Sequence, residues 1–333
     1  AITMLTSPIR SPMSLVPRPV NGGEKRSVLY DEAVVLSGHE GAALSVKFSP
    51  DGQNIASAGL DRTIRLWNLP TDAKDEVPNY GVIEGHKGAV TCLDWLAQSK
   101  IFTGSADSTV AFWDAETGQR VRTGKGHELT INDCSTNVDG TCISVGDDGS
   151  LRIWDEREKH STATIETPYP ILACDLSHDA KFAYIAGIDP TIRAYDLRTG
   201  KEAWSCAGYT ETATSVALST DESMLVLRGM DGSVYTLNAK ASVPEGVSRH
   251  GQVYDGAPGG AQMLLSRARF SNDDVYICLA SEDQLVTMWS TSSRRMVSKF
   301  DGHAAAVLDI DFHPSLNVLA SCALDGAIIV REF

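Results

Sequence analysis

The sequence has no excess of positive charge, no cysteines at metal-binding spacing and no long apolar run. Against 43 Asp and Glu stand only 29 Lys and Arg, a formal net charge of -14, so broad adhesion to a phosphate backbone or an anionic lipid surface is excluded as the main activity. The seven cysteines, Cys92, Cys134, Cys142, Cys174, Cys206, Cys278 and Cys322, are odd in number, scattered and never spaced C-x-x-C. That fits neither a disulfide framework nor a zinc site, and they read as reduced, mostly buried apolar side chains. No stretch approaches the ~18 consecutive apolar residues that span a bilayer. No Asn-x-Ser/Thr occurs, and the opening AITMLTSPIRSPMSLVP is broken by Pro and Arg where a signal peptide needs an apolar core. The expectation is a soluble chain of the cytosol or nucleus with no membrane partner.

What is present is ordinary globular material, 42% hydrophobic and 22% charged over 333 residues, long enough for two domains or one large repeat array. Residues 1–30 stand apart. They hold Pro8, Pro12, Pro17 and Pro19 with no periodic apolar pattern, and Arg10, Arg18, Lys25 and Arg26 against Glu24 give them a net charge of +3. Such a segment is expected to be a disordered basic tail in isolation, attached to an acidic body. Ser7-Pro8 and Ser11-Pro12 within it match proline-directed phosphorylation sites.

From residue 31 the chain repeats. An Asp is followed three residues later by an aliphatic residue and, in most units, six residues later by an aromatic one, at Asp61, Asp107, Asp148, Asp189, Asp231, Asp283 and Asp325. The spacings are 46, 41, 41, 42, 52 and 42, the period of four-stranded propeller blades. Within a unit, LSVKFS, PDG, NIASAG, LD and TIRLWN read as strand, turn, strand, turn, strand, and period two leaves little room for helix. A four-stranded sheet cannot bury both faces alone, whereas seven arranged radially bury each against its neighbours. The fold class is therefore all-β, a seven-bladed β-propeller over residues 31–333.

The residues that carry this pattern resemble the WD-repeat family: Gly38-His39 with Trp67-Asn68, Gly85-His86 with Trp113-Asp114, Gly126-His127 with Trp154-Asp155, and Gly302-His303. The resemblance implies a buried hydrogen-bonded tetrad in each complete repeat, matched here by His39, Ser57, Asp61 and Trp67, by His86, Thr103, Asp107 and Trp113, and by His127, Ser144, Asp148 and Trp154. It also implies that residues 33–37 close the ring as the outer strand of the last blade. Units four to seven depart. Unit four has Tyr195 for Trp and lacks the His and hydroxyl, unit five has Leu237 and Gly208-Tyr209, unit six keeps Asp283 and Trp289, and unit seven has Arg331 at the aromatic position. Repeats without a tetrad are expected to be the soft part of the ring.

Sites of chemistry weigh against an enzyme. Ser, His and Asp are the parts of a hydrolase triad, but the set recurs in three consecutive repeats and catalysis needs it once. His39-Glu40 and His127-Glu128 lack the second His of H-E-x-x-H, so no metal is expected. Gly118 to Lys125 is one residue too long for a phosphate loop and reads as a turn and outer strand, and no cofactor or small-molecule substrate is expected. GQVYDGAPGGAQM (251–263) and TDAKDEVPNYG (71–81) read as surface excursions. The residue before each marker Asp (Leu60, Ala106, Asp147, Ile188, Met230, Glu282, Leu324) falls on one mouth of a radial array, and Leu60, Ile188, Met230 and Leu324 are apolar. An apolar ring with a polar rim suits a protein partner.

Further strings, TVAFWDAETGQRVRTGKGH (109–127), LLSRARFS (264–271), STSSRRMVSKFDGH (290–303) with DFHP, and SLVPRPV in the tail, are similar to the WD-repeat subunits of the U5 small nuclear ribonucleoprotein. This resemblance implies a nuclear, non-catalytic scaffold of pre-mRNA splicing. Its partners would be the large U5 scaffold protein and other spliceosome proteins, with RNA met only indirectly or through the tail. The alternative is a WD-repeat adaptor of another assembly, a ubiquitin-ligase substrate receptor or a chromatin complex.

Overall fold

The computed structural model describes residues 33–69, 79–97, 99–137, 139–207, 212–256 and 264–333. The basic tail, Gly208-Tyr209 and residues 71–78 lie outside the described residues. Among those described, every regular element is a strand, and 28 strands form seven four-stranded antiparallel sheets.

Blade one runs from an inner strand, Ala43–Phe48, through Asn54–Gly59 and Ile64–Asn68 to an outer strand, Gly81–Ile83. The inner strands of blades two to seven are Val90–Ala97, Ile131–Thr136, Ile171–Leu176, Ala213–Leu218, Ala268–Phe270 and Val307–Phe312. The ring closes as the family resemblance implied: Val34–Leu36 pairs with Ile328–Glu332 as the outer strand of blade seven, Val34 opposite Val330 and Leu36 opposite Ile328. That pairing covers an edge otherwise open to other chains.

Seven hydrophobic clusters hold the ring together, and each lies between two neighbouring blades. Trp67 packs with Val34, Leu36, Val318 and Val330 of blade seven, Trp113 with Ile64 and Leu66 of blade one, and Trp154 with Phe102 and Phe112 of blade two. Each indole is thus the tongue of its own blade in the groove of the preceding one, a burial whose loss costs about 3–5 kcal/mol.

One expectation is corrected by the sheets. Residues 251–254 are not loop, because His250–Tyr254 is the outer strand of blade five, while residues 257–263 lie outside the described residues. Only Tyr254 of this strand is buried, so no alternation announced it, and the glycines around it imitate a loop. Gly118 to Lys125 is a turn followed by the outer strand Arg120–Lys125 of blade two.

Candidate functional site

In blade one, His39 precedes the inner strand, Ser57 lies on the second strand, Asp61 in the next turn and Trp67 on the third strand. His39 Nδ1 is 2.9 Å from Asp61 and its Nε2 is 2.7 Å from Ser57 Oγ, which accepts the Trp67 indole N–H at 2.9 Å. Blade two repeats this with His86, Asp107, Thr103 and Trp113 at 3.2, 2.9 and 2.8 Å. In blade three His127 reaches Asp148 at 2.9 Å and Ser144 at 2.7 Å, and Trp154 donates to Ser144 at 2.8 Å. An indole only donates, so the hydroxyl oxygen accepts from it and gives its own proton to Nε2. The imidazole is then left to donate from Nδ1 to the carboxylate. The hydroxyl of each set is fully buried and its lone pair is turned to the indole, so no acyl group can reach it.

The Asp also fixes its own turn. Asp61 accepts the amides of Glu40 and Thr63, Asp107 those of Lys87 and Thr109, and Asp148 those of Glu128 and Ser150. The residue after the Asp is left-handed, φ 68° at Arg62 and 65° at Ser108, a conformation these side chains adopt only when the turn is held from outside.

Burial lowers the pKa of His39, His127 and His303, outweighing the pull of the neighbouring carboxylates. Burial pushes Asp61 and Asp148 up, but their histidines and the hydrogen bonds of the turn outweigh it, and both end below the usual carboxylate value. The imidazoles of His39, His127 and His303 are thus neutral and the carboxylates of Asp61 and Asp148 charged at pH 7, which is the protonation the bonding chain requires.

Blades four to seven solve the same places differently. In blade four Asp189 pairs with Arg193, and Tyr195 joins the interface with blade three. In blade five Leu237 packs against blade four, and among the described residues Asp231 holds Ser233 alone. The Trp289 indole of blade six donates to the Asp255 carbonyl at 3.0 Å in place of a hydroxyl. Blade seven keeps His303 on Ser321 at 2.8 Å, while Arg331, in the indole's place, stacks over Phe300.

The marker turns share one mouth. The amides of Leu60, Ala106, Asp147, Ile188, Met230 and Leu324 each donate to the carbonyl just before or at the start of their blade's inner strand, Ala42, Ala89, Thr130, Pro170, Thr212 and Ala306. These residues are therefore equivalent in six blades. Leu60 is 57% and Ile188 50% exposed, whereas Met230 and Leu324 are half-buried. Two of the four apolar positions are thus exposed over half or more of their surface.

The sequence reading missed a charged network in the channel. Inner-strand carboxylates each accept an amide of the next blade: Asp94 from Thr136, Asp133 from Cys174, Asp175 from Leu218, Asp309 from Val46 and Asp311 from Phe48, at 2.8–3.2 Å. Arg267 of blade six crosses the channel to Asp133 of blade three at 2.6 Å. Arg269 lies 3.8 Å from Asp309, and Lys47 3.6 Å from Asp311. The signal was a charged residue at a fixed place in otherwise apolar strands, as in TCLDWL, ACDLS and VLDIDF. Among the described residues, no cluster of three or more His, Cys, Asp or Glu could hold a metal ion.

These features define a seven-bladed propeller of the WD type, and the WD domain, G-beta repeat family matches residues 31–68, 78–114, 118–155 and 294–331. Over nearly its whole length the chain is similar to the pre-mRNA-splicing factor cwf17 of Schizosaccharomyces pombe, with 34% identity over 89% of this chain and 86% of the relative. It is similar to the U5 small nuclear ribonucleoprotein 40 kDa proteins of Homo sapiens, 34% over 93% and 86%, and of Dictyostelium discoideum, 31% over 93% and 87%. The chain belongs to this WD-repeat family of U5 40 kDa proteins and cwf17.

Proposed function

We propose that the chain is a non-catalytic platform of the U5 small nuclear ribonucleoprotein, working in the nucleus in pre-mRNA splicing and holding the large U5 scaffold protein. The observation that carries this reading is the extent of the similarity, 31–34% identity across about nine-tenths of the chain to relatives named as splicing and U5 proteins. The three buried hydroxyl-His-Asp sets, two with Ser and one with Thr, support a structural role over a hydrolytic one, since each hydroxyl is spent on an indole. We assign partner contact to the mouth bearing Leu60, Ile188, Met230 and Leu324. With a formal charge of -14, RNA is met through the partner or the basic tail.

The test is a pulldown of the tagged chain from nuclear extract, with and without nuclease, followed by mass spectrometry. Recovery of the large U5 scaffold protein that survives nuclease is expected, and a variant with Leu60, Ile188, Met230 and Leu324 changed to Ser should lose it while unfolding at the same temperature. Recovery of a ubiquitin-ligase or chromatin complex without U5 proteins would replace the assignment, and undiminished binding by the variant would move the site off this mouth.

A further inference from the structure

The opposite mouth of the channel carries an apolar funnel that the proposed platform role does not use. A cavity of about 570 Å³ opens where the inner strands of blades one to four end, and Pro50, Trp95, Leu96, Ala97 and Leu176 supply its apolar lining. Asp94 lies in its wall. The funnel is also the side of the channel network whose carboxylates have, among the described residues, no cation in direct contact, Lys47 and Arg269 acting on Asp94 from farther away. Asp133, Asp309 and Asp311 each have a Lys or Arg within 4.0 Å, whereas among the described residues Asp94 and Asp175, on blades two and four, have none that close. They are held by amides and hydroxyls, Asp94 by Trp95 and Thr136, and Asp175 by Ser135, Leu176 and Leu218. Around the same mouth the inner hairpins carry Asp51, Asp139, Asp179, Asp221 and Asp273. Apolar walls beside a half-buried carboxylate lacking a close cation call for a short apolar segment that carries a cation.

The chain contains such a segment, and the topology brings it to this side. Val34 pairs with Val330 and Val318 pairs with Glu332, so the first described strand starts at the end of blade seven that carries its inner hairpin. Residues before it therefore leave the ring on the funnel side. Upstream stands Ser14-Leu15-Val16-Pro17-Arg18-Pro19-Val20, one cation among apolar residues, in a tail of net charge +3. The span from Val20 to Val34 reaches about 45 Å when extended, at about 3.3 Å per residue. The four strands of a blade cover only roughly 15 Å at about 4.8 Å spacing. Proline fixes its own φ, so a segment containing Pro17 and Pro19 has less backbone entropy to lose on docking.

We infer that residues 14–20 of this chain dock in the funnel of their own propeller, Leu15, Val16 and the prolines against the apolar wall and Arg18 toward Asp94. The inference stands independently of the partner assigned to the other mouth.

The experiment uses the full chain with a benzophenone side chain at Ser14 or, separately, at Val20, irradiated over a range of dilutions and mapped by mass spectrometry. Crosslinks within one chain to residues 95–97, 136–137 or 176–178, independent of dilution, are expected. Arg18→Glu should reduce their yield at least about tenfold, as reversing one charge of a half-buried pair does. Since the substitution lies in the tail, the propeller's own stability is untouched. Crosslinks scattered over the surface, or yields indifferent to Arg18→Glu, would overturn the inference. Crosslinks to the funnel that fade with dilution assign it to the tail of a second copy. A benzophenone at Ala97 that meets another protein in nuclear extract and never residues 14–20 assigns it to a partner. Either result also overturns docking in cis.

Discussion

Blades one to three and blades four to six have the same four antiparallel strands, yet only the first three hold a complete chain of His, hydroxyl, Asp and Trp. The family pattern matches one, two, three and seven and passes over the middle three, although these too fold as blades. The tetrad is therefore not what makes a sheet of this kind. Burial between neighbours is common to every blade, and it continues through Tyr195, Leu237 and Trp289 where the hydrogen-bonded chain is gone. What the tetrad adds is a clamp on the loop that enters the blade and on its marker turn. The lesson is that the two halves share a fold and differ in how their upper loops are fastened.

The channel links those halves, and breaking that link should produce the largest effect. Asp133 and Arg267 are both buried, and their bond runs between blades three and six. Asp133→Ala leaves a cation without its partner in a low-dielectric site, and about 3–5 kcal/mol of stability is expected to go, read from the urea midpoint. Asp133→Ala together with Arg267→Met should recover most of it, because the uncompensated charge is removed with its partner. If the double variant is as unstable as the single one, the amide of Cys174, which Asp133 also holds, is the interaction that matters.

A smaller effect separates the halves by pH. His39, His127 and His303 have lowered pKa values in the folded chain because burial disfavours the imidazolium. Below about pH 6.5 the unfolded chain takes up protons that these residues refuse, so stability falls as pH falls, by at most about 1.4 kcal/mol per unit for each. Asp61 and Asp148, lowered in the fold, add to the loss further down, below about pH 4, as the unfolded chain protonates first. The denaturation midpoint should therefore decline between pH 6.5 and 5, and His127→Gln should flatten part of that decline. A midpoint constant over this range would mean that the tetrads titrate as they do in the unfolded chain.

How much of this was legible in the sequence depends on what each residue type announces locally. Blade count and ring order followed from the seven Asp markers, because a turn carboxylate at a fixed place is needed by each blade with or without its His. The tetrad partners were legible where Gly-His, hydroxyl, Asp and Trp kept their spacing. The outer strand His250–Tyr254 was not, since an edge strand buries one residue in its stretch, Tyr254, and the adjoining glycines imitate a loop. The crossing of Arg267 to Asp133 could not be read either, as it joins residues 134 positions apart whose proximity comes only from ring closure. Single charges inside apolar inner strands marked the ends of such contacts without naming the pairs.

The smallest expected effect tests the comparison directly, strand by strand. If the tetrad clamps loops onto blades that are already held by burial, local opening should differ between the halves by about 1.4 kcal/mol, a tenfold difference in exchange rate, and global unfolding should remain shared. Amide hydrogen exchange should then be slower in Asn54–Gly59, Lys100–Ser105 and Cys142–Gly146 than in Phe182–Gly187 and Met224–Gly229, the corresponding second strands of blades four and five. Ser144→Ala deprives His127 and Trp154 of their shared hydroxyl, and it should bring Cys142–Gly146 toward the rates of blades four and five while leaving blade one where it was. Equal protection across all five strands would mean that burial between blades alone sets local stability, and that the clamp serves only to hold the shape of the mouth that carries the marker turns.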